Sequence, residues 1–230
     1  MRPGPTAVGI LLALASATAF GVTIPVLAWA GFGVGAYSTA ALLYLGASLA
    51  SLAQKAVVLE AGAPLTRRAL PSLGVMALAG AAVAPTLLAW GIQRTGPVTG
   101  GLLLNLEAVW TVVFARLVFG EFLGRRVVVA LVLMTAGGAM LSMAGRGGTG
   151  WSLVGVAAVL GASVAWAIDN TASRRLAELR PLSVVAAKGL LGATLTSCLA
   201  FALGEPVPVA WRALVLLLAG ATGYGLSLRL

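Results

Sequence analysis

The chain has 230 residues, 60% of them hydrophobic and 9% charged, with a mean hydropathy of +1.03 and a net charge of +9. Soluble domains carry about 25% charged residues, so this composition excludes a water-soluble globule and reads as a membrane protein. One cysteine and no histidine exclude a disulfide framework, histidine-based catalysis and the usual zinc sites.

Apolar runs long enough to cross about 30 Å of hydrocarbon as helices fall at 7–29, 37–59, 70–92, 98–119, 126–144, 151–171, 183–203 and 209–230. The predicted fold is therefore all-α: a polytopic membrane helix bundle of eight transmembrane helices. The first run, MRPGPTAVGILLALASATAF, has the look of a signal peptide, but the spans that follow make it the first membrane helix. The connections hold the expected breakers: AGAPLTRR at 61–68, RTGP at 94–97, GRGGTG at 145–150, RRLAELRP at 174–181 and GEPVP at 204–208. The runs are continuously apolar, which argues against a β-barrel. Cys198 sits in one of them and reads as a small hydrophobe.

Basic residues set the topology. With the N-terminus cytoplasmic, Arg2, Arg67, Arg68, Arg125, Arg126, Arg174, Arg175 and Arg180 lie inside, and Arg94, Arg146 and Arg212 outside. The positive-inside rule favours that orientation. The arginines mostly separate apolar runs and form no basic face with interleaved aromatics, so no nucleic-acid partner is expected.

An internal repeat is visible. LGASLAS at 45–51 aligns with LGATLTS at 191–197, an offset of 146 that also brings Phe20 onto Trp166. LAGA at 78–81 matches LAGA at 218–221, and Glu60 and Arg68 have counterparts in Glu205 and Arg212. Spans one, two and three thus pair with six, seven and eight. A five-helix unit is odd, so the second copy enters from the opposite side. That gives an inverted repeat, 1–147 and 148–230, with only three helices in the second copy. Many secondary transporters have this architecture, with a substrate site near the midplane.

Three stretches carry a family resemblance: GLLLNLEAVWTVVFARLVFGE at 101–121, WAIDNTASRRL at 166–176 and KGLLGATLTS at 188–197. With them the sequence resembles the EamA family of the drug/metabolite transporter superfamily. The resemblance implies ten helices in two inverted halves and transport of a small metabolite, by exchange or with protons. It also implies a bacterial cytoplasmic (inner) membrane. This chain departs from that pattern in lacking the last two helices, which leaves a non-transporting membrane protein as the alternative reading.

The charges inside the spans are the candidate site. Glu107 lies nine residues into span four, about 14 Å deep at 1.5 Å per residue. A carboxylate there costs roughly 2.5–3.5 kcal/mol to insert, so it should face the bundle interior. It is either a substrate- or proton-binding group or a structural carboxylate tied to a neighbouring helix. Trp110 and Thr111, at i+3 and i+4, share its face and would help to cradle an amine or an aromatic metabolite. Asn105, about 200° round the helix, reads as interhelical glue. Lys188 and Asp169 lie at similar depth and are expected to pair, unless Lys188 snorkels and Asp169 marks a span end. Arg94 and Arg116 read as anchors at span ends. Pro25 and Pro85 interrupt spans one and three as kinks or gating bends. No nucleophile–base pair, phosphate loop or metal set is present, so no enzyme, catalytic residue, metal or cofactor is expected. The expected partners are the lipid bilayer, a small molecule of open identity and, to complete the second half, a homodimer.

Overall fold

The computed structural model describes residues 5–144 and 152–226. Arg2, Arg146, the 145–150 connection, the repeat boundary at 147/148 and the last four residues of span eight lie outside them. Among the described residues the fold is all-α, with one isolated β-bridge between Ala63 and Leu179. The helices are α1 (Pro5–Ala30), α2 (Ala36–Val57), α3 (Leu70–Met76), α4 (Ala84–Thr95), α5 (Pro97–Leu104), α6 (Leu106–Phe119), α7 (Arg125–Ala144), α8 (Leu153–Ser173), α9 (Pro181–Ala202) and α10 (Ala210–Ala219).

Among the described residues six helical segments are long and apolar enough to cross a membrane: Gly9–Ala30, Ala36–Val57, Arg67–Thr95, Pro97–Phe119, Leu153–Leu176 and Pro181–Ala202. The fifth and eighth predicted spans are helical but are not among the six. Both are described only in part: the side chains of the fifth over 125–140, and the eighth over Ala210–Leu226.

The side chains are sorted inside out relative to a soluble protein. Phe201 is 91% exposed and Leu214 57%, as lipid-facing residues are, whereas Thr39, Ser48, Ser51, Ser163 and Thr196 are fully buried. Those hydroxyls stay satisfied by bonding within their own helix. Ser48 and Thr196, for example, donate to the carbonyls of Tyr44 and Gly192, each at 2.8 Å.

Two spans depart from α geometry. Between α3 and α4 the chain runs as a π-helix over Ala77–Val83, and the Ala84 N–H reaches back five residues to the Ala79 carbonyl. Pro85, fully buried just beyond, brings no N–H of its own. The wider turn is how this span accommodates it. Pro25, by contrast, lies inside a helix that continues unbroken from Pro5 to Ala30. A second π stretch, Gly220–Leu226, continues α10.

The centre of the bundle is α2 packed on α9, each flanked by the π-containing helix from the other end of the chain. Glycines permit this approach. A Cβ at Gly46 would overlap the Leu217 carbonyl, one at Gly192 would overlap Ala81, and one at Gly220 would overlap the backbone of Leu43. The ends of the pair are tied reciprocally. Glu60, just after α2, accepts from the Leu182 and Ser183 backbone amides and from Ser183 Oγ at the start of α9. Glu205, just after α9, accepts from the Tyr37 and Ser38 amides at 3.2 and 2.8 Å and from Ser38 Oγ at 2.7 Å, at the start of α2. A carboxylate on the otherwise unbonded amides of a helix start is favoured by the hydrogen bonds and by the helix dipole.

Gly46→Leu should lower the thermal midpoint of the protein in detergent, because the new side chain forces α10 off α2; overpacking of this kind costs about 1–3 kcal/mol. Gly74→Ala, where a Cβ meets nothing within 4 Å, should leave the midpoint unchanged. Equal midpoints for wild type and Gly46→Leu would show that this approach is not part of the fold.

Candidate functional site

The fourth predicted span is two helices. α5 ends at Leu104, Asn105 forms a single turn residue, and α6 begins at Leu106. The cause is local. The Asn105 backbone amide and side-chain Nδ2 both bond the Leu102 carbonyl, at 3.3 and 3.2 Å, and so compete with regular helix. Glu107 therefore sits in the first turn of a helix that starts inside the bilayer. The span as a whole, Pro97–Phe119, runs on as one membrane-length segment tightened at this turn.

Glu107 faces an open cavity of about 950 Å³ lined by α1, α5, α6, α7 and α8. Its Oε1 accepts from Asn170 Nδ2 of α8 at 2.7 Å, and the same nitrogen lies 3.4 Å from Thr111 Oγ1. Asn105 also lines the cavity, and Phe20 and Pro25 form the α1 wall. Glu107, Ala108, Thr111 and Val112 make one stripe on α6, spanning about 140° at 100° per residue. Trp110 falls about 60° off the other edge of that stripe, does not line the cavity and is 36% exposed. The expected aromatic plate is instead Phe20, which the sequence marks only through its repeat partner Trp166.

Behind the cavity lies a polar core. Lys188 of α9 forms an ion pair with Asp169 of α8, and both are buried, at 3% and 4% exposure. The second carboxylate oxygen, Asp169 Oδ1, is buried with no hydrogen-bond partner among the described residues. The Lys188 nitrogen lies 5.8 Å from the centre of the Tyr44 ring. Tyr44 Oη donates to the Gly80 carbonyl at 2.5 Å, and Trp166 Nε1 donates to the same oxygen at 3.0 Å. Gly80 lies in the first π stretch, and a Cβ there would overlap the Asp169 carboxyl. Phe20, Tyr44 and Trp166 each stand 5.3–6.1 Å from the ring of Tyr224, which comes from the second π stretch. The structure thus gathers Glu107, Asn105, Thr111 and Pro25 round the cavity and Asp169 with Lys188 behind it. Pro85 is buried away from both. Asn170, Tyr44 and Tyr224 are not legible in the sequence as site residues, although Asn170 sits beside Asp169 in the WAIDN stretch.

Residues 7–143 match the EamA-like transporter family. The chain belongs to that family. EamA-like proteins are membrane transporters of the drug/metabolite transporter superfamily, so this chain is a multi-pass integral membrane protein of that class. No curated protein sequence matches it. Four solved chains match; one, described only as a crystal structure of a protein, is 22% identical, with a TM-score of 0.64 over 95% of this chain and 76% of its own length. That likeness shows the fold.

The Asp169–Lys188 pair is buried on both sides. Lys188→Met alone should destabilise the protein strongly, by about 3–5 kcal/mol, because it leaves a buried carboxylate unpaired. The double substitution Lys188→Met/Asp169→Leu should recover most of that loss in a thermal melt. A double variant no more stable than the single would show that the pair is not an isolated unit.

Proposed function

We propose that the chain acts as a secondary transporter, moving a small metabolite by alternating access, with Glu107 as the group that binds substrate or proton. One observation carries this reading: a large open cavity bordered by α1, α5, α6, α7 and α8 holds one carboxylate, bound among the described residues by a neutral amide and not by a cation. A carboxylate so placed is free to exchange a proton for a substrate charge. Structural carboxylates in hydrocarbon are normally paired with a cation, as Asp169 is with Lys188.

The reading extends to architecture. The chain is proposed to cross a bacterial cytoplasmic membrane eight times, N-terminus inside, as an inverted repeat of 1–147 and 148–230. The reciprocal caps support the repeat. Glu60 on Ser183 and Glu205 on Ser38 are the same contact at opposite ends of the α2–α9 pair. Both the third span and the last carry a π stretch against the opposite half. Pro85, beside the first of these, is proposed as the bend about which that span moves. A homodimer is proposed as the assembly.

The test is flux. Proteoliposomes containing the protein, given a panel of radiolabelled amino acids, amines and organic acids, should accumulate at least one solute in a manner that depends on a pH gradient. Glu107→Gln should abolish the pH dependence while folded yield stays near wild type. Wild-type flux equal to that of protein-free vesicles across the panel would contradict transport. Unchanged pH dependence in Glu107→Gln would contradict the role of the carboxylate.

A further inference from the structure

The charge balance of the cavity goes beyond the presence of a transport site and bears on what enters it. Among the residues that line the cavity, Glu107 is the one with a formal charge; the remainder are apolar except Asn105, Thr111 and Asn170. The nearest cation behind the wall, Lys188, is buried against Asp169. Three arginines near the span ends are engaged elsewhere: Arg116 with the Gly120 and Glu121 carbonyls, Arg174 with Glu121, and Arg94 with the Trp90 carbonyl and ring. The neutral donors are few. Asn170 Nδ2 is shared between Glu107 and Thr111 and Asn105 Nδ2 gives one hydrogen to the Leu102 carbonyl, which leaves the Thr111 hydroxyl and the second Asn105 N–H.

We infer that the cavity takes a monovalent protonated amine carried on an apolar or aromatic body. This rests on the reading of the cavity as the substrate site. Unlike charges in contact attract more strongly away from bulk water, and like charges repel as strongly. An ammonium beside Glu107 is neutralised. A carboxylate or phosphate there meets a like charge, with no cation among the lining residues to offset it. A zwitterion gains at its amine and loses at its acid, which would meet at most two neutral donors and no lining cation. A dication leaves one charge unpaired in an apolar space, which is costly. The body of the ligand lies against Ile24, Leu102, Val112 and Met134, with Phe20 offering a ring face to the ammonium or to an aromatic group.

The experiment uses the full chain in detergent and follows thermal unfolding through its six tryptophans. The probes are phenethylamine, phenylacetate, phenylalanine and 2-phenylethanol, matched in their aromatic group. Phenethylamine should raise the midpoint in a saturable way, and the other three at equal concentration should not. Its apparent affinity should fall at least tenfold in Glu107→Gln and stay unchanged in Glu178→Gln, an exposed carboxylate outside the site. Should Glu107→Gln give no folded protein, Ala108→Lys asks the same question: a lysine beside Glu107 should remove phenethylamine binding and admit phenylacetate. The inference is overturned if phenylacetate or phenylalanine binds wild type at least as well as phenethylamine, if none of the four binds, or if phenethylamine binds Glu107→Gln as it binds wild type. Proteoliposome flux separates the two readings. Amine binding without flux of any panel solute removes transport and leaves the ligand class. Flux of an organic acid, without amine binding, removes the class and leaves transport.

Discussion

Every charge inside this bundle has to be answered by the protein, because hydrocarbon will not answer it. The costliest are Lys188 and Asp169, and they answer each other. Their meeting fixes α8 against α9. Gly80 must lack a side chain for Asp169 to fit. That brings the π stretch of the third span close enough for its carbonyl to receive both Tyr44 and Trp166. From one ion pair the relative positions of α2, α8, α9 and the third span follow. Asp169 points into this core, while the next residue, Asn170, turns about 100° round the helix to the cavity and to Glu107. The same helix therefore closes one charge off and presents another.

The outer charges obey a different rule. Glu60 and Glu205 lie at helix ends and bind the free amides that begin α9 and α2, where backbone dipoles take the place of a cation. This brace ties both ends of the central pair, while glycines bring the flanking helices to backbone contact along its length. The result is a stiff α2–α9 core. The cavity lies beside that core, walled by α1 and by the interrupted α5–α6, where the packing is more open. A rigid element beside a looser wall is the arrangement that alternating exposure of one site requires.

Much of this is legible in the composition. Helix after apolar helix follows from hydropathy, and the meeting of Lys188 with Asp169 follows from counting residues along spans. The family follows from three short stretches. What stays hidden has local causes. Asn105 reads as one more polar residue in an apolar run; its backbone competition breaks the helix and sets it on the cavity. Helical phase alone puts Trp110 with Glu107, but the cavity faces the other flank of the stripe. The π stretches, and the meeting of Tyr44 with Tyr224, depend on tertiary packing that no window of sequence contains. Pro85 signals a bend without showing that the turn widens to absorb it.

The function rests on one claim: the cavity beside Glu107 is a transport site, open in turn to each face of the membrane. The most direct measurement places a cysteine there. Ala108→Cys, in a Cys198→Ala background that removes the native exposed thiol, would be reconstituted in sealed vesicles and treated with a membrane-impermeant thiol reagent from one side or the other. Alternating access predicts modification from both sides, slowed from both by phenethylamine. Modification from one side alone under every condition, or from neither, would contradict it.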